Sequence, residues 1–121
     1  MDVSDIADQI VALPRVFHER GNVSPFSLLK STGYFEAHHH ISAAEIRAAL
    51  LRSPESVREW MEYSEDKRTT SGWYVKQNDD RRYEVGYFAE DGDYHNRVQY
   101  SDRIDACVSF IKHEIEEIRH A

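Results

Sequence analysis

From Ser71 to Tyr100 apolar residues recur at roughly every second position, while on either side of that stretch they recur every three or four. A chain that changes period in this way is committed to strands in its middle and helices at both ends. Side chains alternate across a strand and return to one face of a helix after about 3.6 residues. Gly72-Trp73-Tyr74-Val75-Lys76 reads as a first strand, Asn78-Asp79-Asp80-Arg81 as a turn, and Tyr83-Glu84-Val85-Gly86-Tyr87-Phe88 as a second strand. Glu90-Asp91-Gly92-Asp93 is another turn, and Arg97-Val98-Gln99-Tyr100 a third strand. Turns this short join antiparallel neighbours, so the predicted unit is a three-stranded meander.

The flanks carry helix signals. Val3, Ile6, Ile10, Leu13 and Phe17 share one helical face, and Pro14 is predicted to kink or split that helix. Ser24 before Pro25 pairs an N-cap with a first helical residue, opening a short helix through Phe26, Leu28 and Leu29 that ends near Gly33. Ser42-Ala43-Ala44-Glu45 reads as a capping box, and Ile41 with Ile46 adds a hydrophobic staple. Ser53-Pro54-Glu55 repeats the cap-plus-proline signal, and Val57, Trp60, Met61 and Ser64 share a face of the helix that follows. Ser101 or Asp102 caps the last helix, where Ile104, Val108, Phe110 or Ile111, Ile115 and Ile118 form the apolar stripe. Cys107 sits on the flank of that stripe, and Asp105, Lys112, Glu116 and Arg119 mark the expected wet face. The fold class is therefore α+β: N-terminal helices, a three-stranded antiparallel meander and a long C-terminal helix packed on it, in one domain spanning 1–121.

A length of 121 residues suits a single core. The balance of 15 Lys plus Arg against 22 Asp plus Glu gives a net charge of −7, which repels phosphate backbones and favours a basic partner over nucleic acid. A lone cysteine fits a reducing compartment. The start is acidic rather than basic, and no apolar run approaches the roughly 18 residues that span a bilayer. The expectation is a soluble, cytoplasmic protein that does not engage a membrane.

Three consecutive histidines, His38, His39 and His40, invite a metal reading. Successive helical residues point about 100 degrees apart and cannot converge on one ion, whereas an extended segment would set His38 and His40 on one side with Glu36. No second histidine or cysteine cluster accompanies them, so the run is read as a polar approach to the capped helix, with contact to a partner as the alternative. His18, His95 and His113 with Lys112 offer acid and base combinations for a small histidine-dependent hydrolase, but any chain with seven histidines does so. Ser27-Leu28-Leu29-Lys30 matches Ser-x-x-Lys without its companion motifs. There is no phosphate-cradling glycine loop, His-Glu-x-x-His or Cys-x-x-Cys, so no cofactor, metal ligand or catalytic residue is assigned.

The two turns and their strands are more informative. Asp79, Asp80, Glu84, Glu90, Asp91 and Asp93 face only Arg81 and Arg82 between Asn78 and Asp93. Tight turns demand Asp, Asn and Gly on their own account, but an acidic surface that steers a basic ligand is the rival explanation. Trp73, Tyr74, Tyr83, Tyr87, Phe88, Tyr94 and Tyr100 exceed what one sheet face can bury. The excess fits either a second helix layer or an interface rich in tyrosine. The candidate partner-binding residues are Asp79, Asp80, Tyr87, Glu90, Asp91, Asp93 and Tyr94.

Ser64-Glu65-Asp66-Lys67-Arg68-Thr69-Thr70-Ser71-Gly72-Trp73-Tyr74, then Tyr83-Glu84-Val85-Gly86-Tyr87, then Ala106-Cys107-Val108-Ser109-Phe110-Ile111-Lys112-His113-Glu114 resemble small proteins encoded beside bacterial polymorphic toxins. These are the immunity proteins of contact-dependent growth inhibition and related systems, and the resemblance covers roughly residues 54 to 120. It implies a non-enzymatic cytoplasmic inhibitor whose partner is the C-terminal domain of a cognate toxin. A nuclease toxin, basic where it meets phosphate, would suit an acidic inhibitor. An adaptor or regulatory domain binding another protein is the alternative within the same class. The resemblance assigns no site residue.

Overall fold

A computed structural model describes residues 2–66 and 71–121; the Lys67-Arg68-Thr69-Thr70 part of the tract that carries the resemblance lies outside the described residues. The elements are α1 (Val3–Val11), α2 (Leu13–Arg20), α3 (Pro25–Ser31), α4 (Tyr34–Ala37), a 3-10 turn (His38–His40), α5 (Ala43–Arg52), α6 (Glu55–Asp66), β1 (Gly72–Gln77), β2 (Tyr83–Phe88), β3 (Tyr94–Tyr100) and α7 (Arg103–Arg119). The α+β architecture read from the sequence is the observed one, with α7 packed on the meander.

Local chemistry explains most of the boundaries. Asp2 caps α1, and Pro14 separates α1 from α2 at Ala12. The break leaves the Val11 carbonyl to the Trp60 indole, which donates to it at 2.9 Å. Ser24 caps α3 by accepting from the Ser27 amide at 3.1 Å. The capping box is formed, with the Glu45 carboxylate accepting from the Ser42 amide at 3.0 Å and also from its hydroxyl. Ile41 and Ile46, on either side of it, are both buried. Asp102 caps α7 through the Ile104 amide at 3.0 Å.

The histidines differ from the extended segment in which His38 and His40 would share a side. Tyr34 is fully buried, its hydroxyl donates to Glu116 at 2.5 Å, and that anchorage coils the chain into α4 and the 3-10 turn. The expected wet face of α7 is correspondingly half-covered. Lys112 donates to the Ile41 carbonyl at 2.7 Å and to the Tyr34 hydroxyl at 3.1 Å, and Arg119 grips Glu116.

The sheet runs β1-β2-β3 with every neighbour antiparallel. Val75 pairs with Val85 and Trp73 with Tyr87, and this face turns toward α7, where Trp73 stacks on His113 at 3.7 Å between ring centroids. Val75 and Val85 join Phe110, Ile111 and Ile115 in the core. The outer edge of β1 is closed by α6: Ser64 Oγ accepts from the Val75 amide at 2.8 Å and donates to its carbonyl at 3.0 Å. At the opposite margin β3 is an edge strand. It begins at Tyr94 rather than Arg97, and all of it except Tyr100 is exposed.

One irregularity sets the side-chain directions in β3. Tyr87 pairs with His95 and Val85 with Val98, so Asn96 and Arg97 together stand opposite Gly86. This is a β-bulge, and Asn96 takes the left-handed conformation (φ 54°) that asparagine tolerates better than most residues. The extra residue resets the alternation. Tyr94 and Gln99, five positions apart, therefore share the face that α7 does not cover.

Candidate protein-binding surface

The helix-free face of the sheet has a small core of its own. Gly86 pairs across the strands with Tyr74, and a Cβ built on Gly86 would lie 2.6 Å from the Tyr74 hydroxyl oxygen. Only the missing side chain lets Tyr74 lie down over β2, so that the tyrosine is 3% exposed on a face with no helix above it. Its hydroxyl donates to Glu84 Oε2 at 2.5 Å. Arg97, aimed by the bulge, donates Nε to Oε2 at 3.1 Å and Nη2 to Oε1 at 2.9 Å, and Gln99 adds a bond to Oε1 at 2.9 Å. Burial alone would push the Glu84 carboxyl up, but the bonds from Arg97, Tyr74 and Asn78 outweigh it and hold the group down at about 2. Burial and the neighbouring Glu84 charge together raise the Tyr74 phenol. Glu84, counted in the sequence among the surface acids, is thus a buried carboxylate and contributes nothing to an acidic surface.

Tyr94 lies on top of this group. Its ring contacts Tyr74 edge-on at 5.5 Å and Phe88 at 5.2 Å, the Lys76 ammonium is 5.1 Å from its centroid and the Arg97 guanidinium carbon 5.9 Å. It remains 49% exposed, and Val98, which points to the other face of the same strand, is 50% exposed. The excess aromatics are therefore accommodated by packing on one another rather than under a second helix layer.

The seven candidate residues divide into three places. Glu90, Asp91 and Asp93 form the β2–β3 turn directly before Tyr94, and these four are brought together. Asp79 and Asp80 occupy the β1–β2 turn at the other end of β2, about 17 Å away for a six-residue strand. Tyr87 points to the α7 side, where it packs edge-on against Trp73 at 5.5 Å. Strand alternation separates it from Tyr94. Two of the acids also build their turns, since Asp91 accepts from the Asp93 amide at 2.9 Å and Asp80 from the Arg82 amide at 3.0 Å. The first of these bonds, helped by His95, lowers the Asp91 carboxyl. Lys76 and Arg97 were missed, because only the bulge directs Arg97 to this face, and Asn96 was the one residue that hinted at it.

Of the other singled-out groups only Lys112 and His113, neighbours on α7, line a common hollow. His95 pairs with Asp91 on the turn, His113 lies on Trp73, His18 lines a groove beside α6, and Lys112 is engaged by Tyr34 and Ile41. His38 and His39 have ring centroids 3.8 Å apart, and burial with the charge of Arg119 lowers His38. Among the described residues no group of three or more His, Cys, Asp or Glu could hold a metal ion, and no helix is long and apolar enough to cross a membrane. Cys107 is buried rather than flanking, and burial pushes its thiol up to about 12, which removes thiolate chemistry at neutral pH. No family model, curated protein or solved structure matches this chain.

Proposed function

We propose that this chain works by binding protein and that it is an immunity protein, a cytoplasmic inhibitor of a cognate toxin domain. The observation that carries this reading is β3: an edge strand exposed over almost its whole length, opening on Tyr94 with Lys76 and Arg97 beside it and the Glu90–Asp93 turn at its start. A half-exposed aromatic on a preorganised base is what an interface anchor requires, and flanking acids supply long-range attraction for a basic partner. The resemblance over residues 54 to 120 and the net charge of −7 support the same reading.

The test is co-purification with the C-terminal domain of a toxin encoded beside this gene, together with loss of that toxin's activity on mixing. Tyr94→Ala should weaken the complex at least about tenfold, close to 1.4 kcal/mol. Glu90→Gln with Asp93→Asn should slow association in a salt-dependent way, and Asp79→Asn at the far end should change little. Absence of a complex at micromolar concentration overturns the reading.

A further inference from the structure

A groove of about 620 Å³ runs between α2 and α6, and it shares no lining residue with the sheet. Pro14, Phe17, Pro25 and Tyr63 give it an apolar floor. One wall belongs to α6, which presents Glu59, Glu62 and Asp66 at i, i+3 and i+7, a single stripe about 10 Å long over two turns. Facing them are Arg15 and His18. Arg15 already spans the mouth to Glu59, with bonds of 2.8 and 3.0 Å, so it closes one end rather than neutralising the whole wall. Among the described residues Glu62 is held by Arg58, in an i,i+4 pair whose side chains are 62% and 59% exposed. Such a pair is worth little and exchanges readily for a better partner.

We infer that this groove is a second docking surface, and that its occupant is a basic amphipathic helix of a partner protein. An apolar floor beside a two-turn acidic stripe matches a helix with apolar residues on one face and Lys or Arg at i, i+3 or i+4 and i+7 along its flank. An acidic or purely apolar segment leaves Glu62 and Asp66 unmatched. The inference rests on the reading that the chain acts by binding protein, but it does not depend on β3 or on which toxin is bound.

The full-length chain, labelled with nitrogen-15, is titrated with a Lys–Leu amphipathic helix of roughly four turns and with its Glu–Leu counterpart of identical apolar pattern. The Lys–Leu peptide should shift amides of residues 14–18, 21–25 and 59–66, saturating below about 100 µM. Glu62→Lys, at an exposed position, should weaken that binding at least about tenfold while the rest of the spectrum stays in place. Shifts spread over the turns at 78–82 and 89–93, equal binding of the Glu–Leu peptide, or indifference to Glu62→Lys overturn the inference. A failed titration leaves the Tyr94 test intact, so the two readings fail separately.

Discussion

Among the described residues two clusters are made of the same three groups, a tyrosine hydroxyl, a glutamate and an arginine fork. Tyr34, Glu116 and Arg119 meet where α4 packs on α7. Tyr74, Glu84 and Arg97 meet on the helix-free face, each from a different strand. In the helical cluster Arg119 is three residues from Glu116, and the glutamate side chain keeps 33% of its exposure. In the sheet cluster the Glu84 side chain has none, while Arg97 is 54% exposed. Both carboxyls are held at about 2, from different balances. For Glu116 the Arg119 bonds lead and burial opposes them less, whereas for Glu84 burial is the largest influence and several donors must overcome it. The helical cluster can fall back on water when a partner is lost. The sheet cluster cannot.

The largest effect that follows is at Gly86, for which the helical cluster has no counterpart. Gly86→Ala places a Cβ against the Tyr74 hydroxyl, lifts the ring and uncovers Glu84 and the base of Tyr94. A cost of about 2 to 3 kcal/mol is expected, read from the urea midpoint at unchanged slope. A loss below about 0.5 kcal/mol would mean that Tyr74 yields without disturbing the carboxylate, and the contrast between the clusters would lose its basis.

Next in size is the removal of each arginine. Arg97→Met strands a carboxylate with no exposed surface of its own, and Arg119→Met strands one that water already reaches. The fall in Tm should be clearly greater for Arg97→Met. The reverse order would show that Tyr74, Gln99 and Asn78 suffice to hold Glu84 unaided.

The two clusters also mark where sequence reading succeeds and where it stops. Breaks and starts written in adjacent residues were legible, since caps and prolines act over one helical turn: Pro14 between α1 and α2, Ser24-Pro25, Ser42 to Glu45, and the stripe of α7. The meander was legible from its period and its turns. Glu84 was not, because its burial depends on Gly86 admitting Tyr74 and on a bulge at Asn96 that turns Arg97 inward. Gly86, two positions on, marks a close approach without saying what approaches, and the bulge at Asn96 lies twelve positions away. For the seven candidate residues, the separation of the two acidic turns was legible from the meander, whereas the division of Tyr87 from Tyr94 was not. Acids at two turns are neighbours in sequence and lie at opposite ends of β2, and Tyr87 and Tyr94 are divided by the pleat. The coil of His38 to His40 depends on Tyr34 reaching Glu116, a contact spanning 82 positions.

The finest test of the comparison is acid titration, because there the clusters should behave alike. Each carboxyl lies near 2 in the folded chain against an ordinary value of 4.5, so each contributes stability that is complete above 4.5 and lost as the pH falls toward 2. Glu84→Gln and Glu116→Gln should each flatten the decline in Tm between about pH 5 and about pH 2, and by similar amounts. At neutral pH the two should differ: Glu84→Gln buries an amide against a guanidinium and loses charge-assisted bonds, whereas Gln at 116 can turn partly to water. A double difference of this kind separates how far a carboxyl is shifted from how much the fold depends on it. If only Glu84→Gln flattens the acid limb, solvent already screens the pairing of Glu116, and the likeness between the clusters is confined to their geometry.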